Sequence, residues 1–462
     1  MSVKLPDIDI DAVTSLEEAK EIISQLLDSL GQQQKELAEL KQEVARLKQQ
    51  PKKPHFSGQQ KQSISATKLL EKKEKHWQKA KRRPIEIDQH VTLPEVAACV
   101  CGATEFETVS TATKIVQGLA IKRNNTAYHG RRRQCRSCGK IFTPRIPDDL
   151  WGLSFDSQTQ TLASYLKFVC RFTTPLLHQL FTGFGMQISY GELTTILHRN
   201  SQKLHPAYLR LKTTGVYKSA YLQSDATGAK RKQQASHQVE PQFLHILGNR
   251  TLSLFKITKT YNSAITTMLL GKHGRNRIYV SDDASPNGKK LVVVRKQLCW
   301  IHEIRHYLKL SPRFTCHREK LQAVILQWRE LYAAANAYGR DPTQEKKDTI
   351  RQAFDRMTTT TTGYEPVDTQ LALTRKKRKR LLLFLDYPFV PIQNNQAERD
   401  LREFVILRKI SGETKSLAGD RSIERHLSII QTARKQGLNV FETLHGLLTN
   451  TLPLSVLTAN IA

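Results

Sequence analysis

The sequence predicts a multidomain chain of mixed α+β and α/β class, with one mixed-sheet core divided by a helical insertion. Three observations carry this. Apolar runs with a two-residue period fall between residues 216 and 281. Helical periodicity takes over from about residue 301 to 386. Before residue 150 lie a heptad-like segment and two close cysteine pairs with a basic surround.

At 462 residues the chain exceeds one compact core, and about three domains are expected. Apolar residues make up 39%, slightly low for a fully globular chain, so some segments are expected to be extended or solvated. The formal net charge is +30 and the pI about 9.9. Such an excess favours a polyanion, because each phosphate contact by Lys or Arg releases condensed counterions. A membrane is also polyanionic, yet no apolar stretch approaches the roughly 20 residues needed to span one. Residues Met1 to Asp11 are acidic and lack a signal peptide's basic start and apolar run, so a cytoplasmic site of action is expected. Seven cysteines, an odd number over a long chain, argue against a disulfide framework.

Residues 1–50 read as a coiled-coil helix. Ile23, Leu30, Leu37 and Val44 form one seam position and Leu26, Gln33, Leu40 and Leu47 the other, with Gln33 as a polar register point. Such a seam pairs chains into a homodimer or higher oligomer; an amphipathic helix packed on its own chain is the alternative. Residues 51–90 form a basic linker interrupted by Pro51, Pro54 and Pro84, which can lie along phosphates or simply be solvated. Residues 91–150 hold Cys99, Cys101, Cys135 and Cys138, with Gly102 and Gly139 easing the turns. Two thiolate pairs suit tetrahedral Zn²⁺, although the first has a single intervening residue where two to four are usual. No acid occurs from Ser110 to Pro147, so Arg131, Arg132, Arg133 and Arg136 give this zinc ribbon a DNA-binding face.

Residues 151–212 are helical in pattern, and Ser189 with Glu192 reads as a capping box. Two helices about Gly183–Gly185 can be helix-turn-helix or an ordinary hairpin. Strands are expected at Val216–Gln223, Gln242–Leu247 and Thr251–Ile257, the last two joined through Gly248-Asn249. A helix at Tyr261–Leu270 and a strand at Arg277–Ser281 follow. Three antiparallel strands, a helix and a fourth strand parallel to the first give the opening order of a ribonuclease-H-like fold. Residues 213–300 form its first part, 301–386 the insertion, and 387–462 its second part with the C-terminal helices. The insertion carries six consecutive basic residues, Arg375 to Arg380.

Three acids stand out on this frame. Asp225 and Asp282 each end an apolar run, after Ser224 and Ser281, and adjacent parallel strands would set them side by side. Glu398 opens a helix within Asn394-Asn395-Gln396-Ala397-Glu398-Arg399. Two strand-end carboxylates and one helix carboxylate can hold a pair of Mg²⁺ ions that clamp both oxygens of a phosphodiester. Singly, each has a plainer reading: a turn-forming Asp, or a helix-start Glu paired with Arg402 one turn on. Arg399, Arg402, Arg408 and Lys409 would hold flanking phosphates. Cys299, His302, His306, Cys316 and His317 invite a second zinc site, although a buried strand-to-helix junction explains Cys299 and Trp300 as well.

These pieces resemble the insertion sequence 66 family of DDE-type transposases. The matches are Ser224-Asp225-Ala226-Thr227-Gly228, Val280-Ser281-Asp282, Cys299-Trp300-Ile301-His302, the block from Asn394 to Arg402, and Thr432-Ala433-Arg434 before Gly437-Leu438. The resemblance implies an enzyme that cuts and joins the ends of a mobile element, acting on its terminal repeats and target DNA near the nucleoid, with helper proteins from the element. Ala226 stands where the family commonly has Glu, and Asp283 where it has Gly. A degenerate core retained for DNA binding and a cellular nuclease of the same fold are the alternatives, and Asp283 competes with Asp282 as the second ligand.

Overall fold

The computed structural model describes residues 154–461 except 234–237, 275 and 284–294, and before them 123–144 with scattered residues from 20 onward. The coiled-coil seam and Cys99 lie largely or wholly outside the described residues, although Ile23, Leu27 and Leu30 are seen as exposed and helical where described. Residues 1–65 form a unit separate from residues 66–462, in which all that follows is found.

A two-residue ribbon, β1 (Arg133–Gln134) and β2 (Ile141–Phe142), encloses the second cysteine pair. Helices α1 (Ser157–Phe168), α2 (Thr174–Gly183) and α3 (Tyr190–Lys203) follow and bury a small core around Leu177, Phe181 and Leu193. The expected capping box is present: Ser189 Oγ accepts from Glu192 N at 3.2 Å, and Glu192 Oε2 accepts from Ser189 N at 2.8 Å. Next come α4 (His205–Arg210) and a short helical tail ending at Lys218.

The central sheet holds β3 (Tyr221–Lys232), β4 (Val239–Gly248), β5 (Ser253–Thr258), β6 (Ile278–Ser281) and β7 (Arg295–Leu298) in the order β5-β4-β3-β6-β7. β3, β4 and β5 are antiparallel, and β6 runs parallel to β3, as expected from sequence. Helix α5 (Ser263–Gly274) joins β5 to β6. Gly248 makes the β4–β5 turn possible, because a Cβ there would lie 2.3 Å from Leu252 O. Asn249 Oδ1 completes the turn by accepting from Thr251 N at 2.9 Å and Leu252 N at 2.8 Å.

Two strands differ from expectation: β7 has no counterpart in the sequence reading, and the first strand begins later than expected. Val216–Lys218 is helical, and β3 starts at Tyr221 and runs to Lys232. The β-branched Val216 is buried as the end of a helical stretch, so its packing outweighs its strand propensity. Asp225 therefore lies within β3 rather than at its end. It does lie just beyond the parallel pairing, which runs from Tyr221↔Ile278 to Gln223↔Val280, while antiparallel pairing with β4 continues.

After β7 come α6 (Trp300–Leu308), α7 (Thr315–Arg340), α8 (Gln344–Thr359) and α9 (Glu365–Lys376). They build their own core around Trp300, Trp328 and Phe354. The helix expected to carry Arg375–Arg380 ends at Lys376, and Arg378–Leu381 forms a separate turn. The chain returns through α10 (Asn395–Ser411), α11 (Leu417–Lys435) and α12 (Val440–Leu448). α10 packs across β3 and β4, and α11 along β5.

Charge as well as apolar burial seats these last helices. Lys435 uses all three ammonium protons: to Asn249 O at 2.7 Å, Leu252 O at 2.8 Å and Asp400 Oδ2 at 2.6 Å. Ser253 Oγ donates to the same Oδ2 at 2.9 Å, and Gln396 Nε2 to Asp400 Oδ1 at 3.1 Å. Both charges are nearly sealed from solvent, so removing one strands the other. Lys435→Met is expected to lower unfolding free energy by about 3–5 kcal/mol, read from chemical denaturation.

Candidate active site

Three chain segments far apart in sequence meet at one edge of the sheet. The β3–β6 register, continued two residues past Gln223↔Val280, sets Asp225 opposite Asp282. Ser281 O accepts from Cys299 N at 2.9 Å, and Trp300 N donates to Ile392 O at 2.9 Å. Asn394 N in turn donates to the buried Cys299 Sγ at 3.3 Å, and Asn394 Nδ2 to Ser224 O at 2.8 Å. Gln223 Nε2 donates to Gln393 O at 2.9 Å. Asn394 is the N-cap residue of α10, yet its side chain makes no cap and clamps β3 instead. Glu398, in the first turn of α10, is thereby brought to the same edge.

The Asp225 carboxyl is pushed up to about 7, chiefly by burial, with the Asp282 and Glu398 charges adding to the rise and the Ala226 N–H and Arg305 opposing it. Burial also lifts the Tyr261 phenol to about 12, with the Asp282 and Asp225 charges adding to it. Glu398 Oε1 faces Arg305 Nη1 at 3.6 Å and His302 Nε2 at 3.8 Å. Among the described residues its ion pair is with Arg305, not with Arg402. Arg305 Nη1 lies 3.0 Å from His302 Nε2 and donates to it; burial, then Arg305, holds that imidazole below its usual pKa.

Asp283 is committed elsewhere. Its carboxylate takes the Lys377 ammonium and lies 3.5 Å from His306 Nε2. The His306 hydrogen bond, followed by Lys377, holds it far below the usual carboxylate range. Asp283, Glu303 and His306 bring their ligand atoms within 4.8 Å of one another, but Lys377 Nζ also donates to Glu303 Oε2 at 2.9 Å. An ammonium already occupies the place a cation would take there.

The second zinc site does not assemble. Cys299 is buried against Asn394, Cys316 is exposed, and His317 stacks on Tyr364 at 4.3 Å. The Cys299-Trp300 pair is a strand-to-helix junction, with Trp300 Nε1 donating to Leu381 O at 2.8 Å. In the ribbon, Cys135 and Cys138 stand in a tight turn in which Gly139 (φ +72°) donates to Cys135 O at 2.9 Å. Backbone N–H groups of Cys138 and Ser137 aim at the Cys135 sulfur and lower its pKa, a setting that suits a metal-bound thiolate. Arg131, Arg132, Arg133 and Arg136 are exposed. Arg399, Arg402 and Lys409 are exposed on α10, whereas Arg408 is spent on Gly228 O and on the Phe404 ring at 5.9 Å.

A sequence profile of the Transposase IS66 family matches residues 154–422, more than half of the chain. The chain belongs to that family. The matched span reaches from α1 into α11 and includes Asp225, Asp282 and Glu398. An uncharacterized protein of Sinorhizobium fredii, y4jO, is 34% identical over 168 residues, 36% of this chain and 51% of that protein. The chain thus spans about half the length of this curated relative, whose printed name states no activity. No described helix is long and apolar enough to cross a membrane.

Sequence reasoning missed Arg305, Glu303 and Lys377 as neighbours of the site. The signal was present in Trp300–Leu308, where His302/Arg305 and Glu303/His306 each recur at three-residue spacing and so share two adjacent helix faces.

A raised carboxyl pKa contributes stability fully below its unfolded value, and that contribution is lost as pH rises through the folded value. For Asp225 that window runs from 3.8 to about 7. Metal-free protein is therefore expected to lose stability from pH 4 to 8 at this position, by at most about 4 kcal/mol before solvent screening. Asp225→Asn removes the loss, so denaturation in chelator should show the variant gaining on wild type at pH 8 and not at pH 4.

Proposed function

We propose that Asp225, Asp282 and Glu398 hold a pair of Mg²⁺ ions with which this transposase-family chain cuts and joins the ends of an insertion sequence. The observation that carries the reading is the convergence of β3, β6 and the head of α10, which brings the Asp282 and Glu398 charges within electrostatic reach of Asp225, a carboxylate whose pKa is raised chiefly by burial. Hard carboxylate oxygens in such a setting suit a hard divalent cation, which offsets both the burial and the like charge. The sheet order and the α10 crossing support reading the core as ribonuclease-H-like. The competing Asp283 supports Asp282 as second ligand, because Asp283 is engaged by Lys377 and His306.

When bound, the ions supply Lewis-acid polarisation of the scissile phosphate and ready deprotonation of the attacking water or 3′-hydroxyl. The chain's own groups do the rest. β3, β6 and α10 fix the three carboxylates through backbone hydrogen bonds, so little reorganisation is needed as charge develops. Arg305 keeps a guanidinium beside Glu398, placed to neutralise a non-bridging phosphate oxygen. Arg399, Arg402 and Lys409 extend this positive strip along α10 for flanking phosphates. Cys101, Cys135 and Cys138 with Cys99 hold Zn²⁺, and the ribbon's arginines add a DNA contact remote from the chemistry. Pairing of chains through the N-terminal heptads belongs to the same proposal.

Short duplexes bearing the element's terminal repeats test the assignment. Wild type should nick them only with Mg²⁺. Glu398→Gln should lose more than ~10³-fold in cleavage while keeping its DNA affinity. Cleavage by that variant at the wild-type rate contradicts the site. Wild-type binding without cleavage marks a degenerate DNA-binding protein, and cleavage without end preference marks a nuclease. Metal analysis should find a single zinc per chain, lost in Cys138→Ser.

A further inference from the structure

Lys377 lies in the basic run Arg375–Arg380, which sequence alone reads as a solvated or phosphate-binding face. The structure divides that run. Arg378 forms a two-pronged pair with Asp355, each contact at 2.6 Å. Lys377 turns inward, with its side chain 17% exposed, and joins two carboxylates of unlike setting: Asp283 at the exit of β6 and Glu303 on α6, which is 2% exposed. Glu303 is further held by Thr374 Oγ1 at 2.5 Å and Gln370 Nε2 at 3.3 Å, both from α9. Tyr307 Oη meets the same Thr374 hydroxyl at 2.7 Å. Burial works to lower the Lys377 pKa, but its hydrogen bonds to Asp283 and Glu303 win and raise it, so the ammonium stays charged.

Asp283 directly follows Asp282, so whatever fixes one fixes the other. Helix α6 makes contacts on both sides. His302 and Arg305 face Glu398, while Glu303 and His306 face Lys377 and Asp283. Through the staple on Asp283, α6, the β6 exit and the C-terminal end of α9 become one mechanical unit beside the three acids.

We propose that Lys377 is a positioning residue of the metal site: by bridging Asp283 to Glu303 it locks the β6 exit, and with it Asp282, against α6. The inference rests on the reading of Asp225, Asp282 and Glu398 as the Mg²⁺ ligands. It assigns a task to the helical insertion, which seats a catalytic carboxylate as well as extending the surface. It also predicts a sign opposite to simple electrostatics. Removing a cation from the neighbourhood of a metal site should tighten metal binding, because less positive charge opposes the ion. If Lys377 acts by position, its removal loosens binding instead, as loss of an outer-shell partner does.

The test is Mn²⁺ titration of the full chain, followed by electron paramagnetic resonance, without DNA. Wild type should bind Mn²⁺ in a manner lost in Asp225→Asn. Lys377→Met should weaken that binding ~10-fold or more, and Lys377→Arg should recover most of it. Asp283→Asn, which cuts the staple while leaving the buried Lys377–Glu303 pair whole, should weaken binding to a similar extent and serves if Lys377→Met fails to fold. In end cleavage the same variants should need correspondingly more Mg²⁺ for half-maximal rate, with the rate at saturating Mg²⁺ largely kept. Unchanged or tighter Mn²⁺ binding in Lys377→Met, or in Asp283→Asn, overturns the positioning role and leaves the three-acid site standing. Wild-type binding that survives Asp225→Asn overturns the site itself and this inference with it.

Discussion

Everything at the site depends on a short relay of backbone and side-chain hydrogen bonds among segments far apart in sequence. Ser281 O, Cys299 N, Trp300 N, Ile392 O, Asn394 and Ser224 O form it, with Cys299 Sγ as an acceptor in the middle. None of these bonds is strong alone, each contributing a net of about 1 kcal/mol. Together, in a dry environment, they leave the β6 exit, the β3 centre and the head of α10 little freedom to part. The relay brings the Asp282 and Glu398 charges within electrostatic reach of Asp225. The raised pKa of Asp225 reflects its burial first and those neighbouring charges second.

A site of this kind stores its cost in the metal-free state. Burial and like charge favour a proton on Asp225, and a divalent cation removes the reason for it. Arg305 moderates the negative charge at Glu398 without bonding tightly, at 3.6 Å, so the carboxylate is steadied but still available. By contrast Asp283 is bound closely on one oxygen by Lys377, with His306 at 3.5 Å from the other. Two adjacent aspartates thus differ in setting: Asp283 meets an ammonium, and the Asp282 charge is felt at Asp225.

The antiparallel β3–β4–β5 run, the parallel β3–β6 pair, the capping box at Ser189 and the helices of the insertion were legible in sequence because periodicity and turn chemistry report them locally; the edge strand β7 was not. Asp225 and Glu398 were legible as candidates from their surrounding motifs. The start of β3 was not, because burial of Val216 beside the preceding helix overrode its propensity. The roles of Asp282 and Asp283 were not separable either, since the distinction rests on Lys377, ninety-odd residues on. Arg408 looked like a phosphate ligand and is instead taken by the Gly228 carbonyl, a contact across 180 residues. Six like charges in a row gave no hint that Lys377 and Arg378 face partners within the fold. Long-range pairing of this sort leaves no local pattern.

The most direct measurement of where the metal sits is Fe²⁺ substitution for Mg²⁺, followed by oxidation with ascorbate and peroxide to cut the backbone beside the ion. Cuts near residues 225, 282 and 398 together are the result expected of one site shared by β3, β6 and α10. Cuts confined to α6 around Glu303 and His306, with none near Asp225 or Glu398, would contradict it.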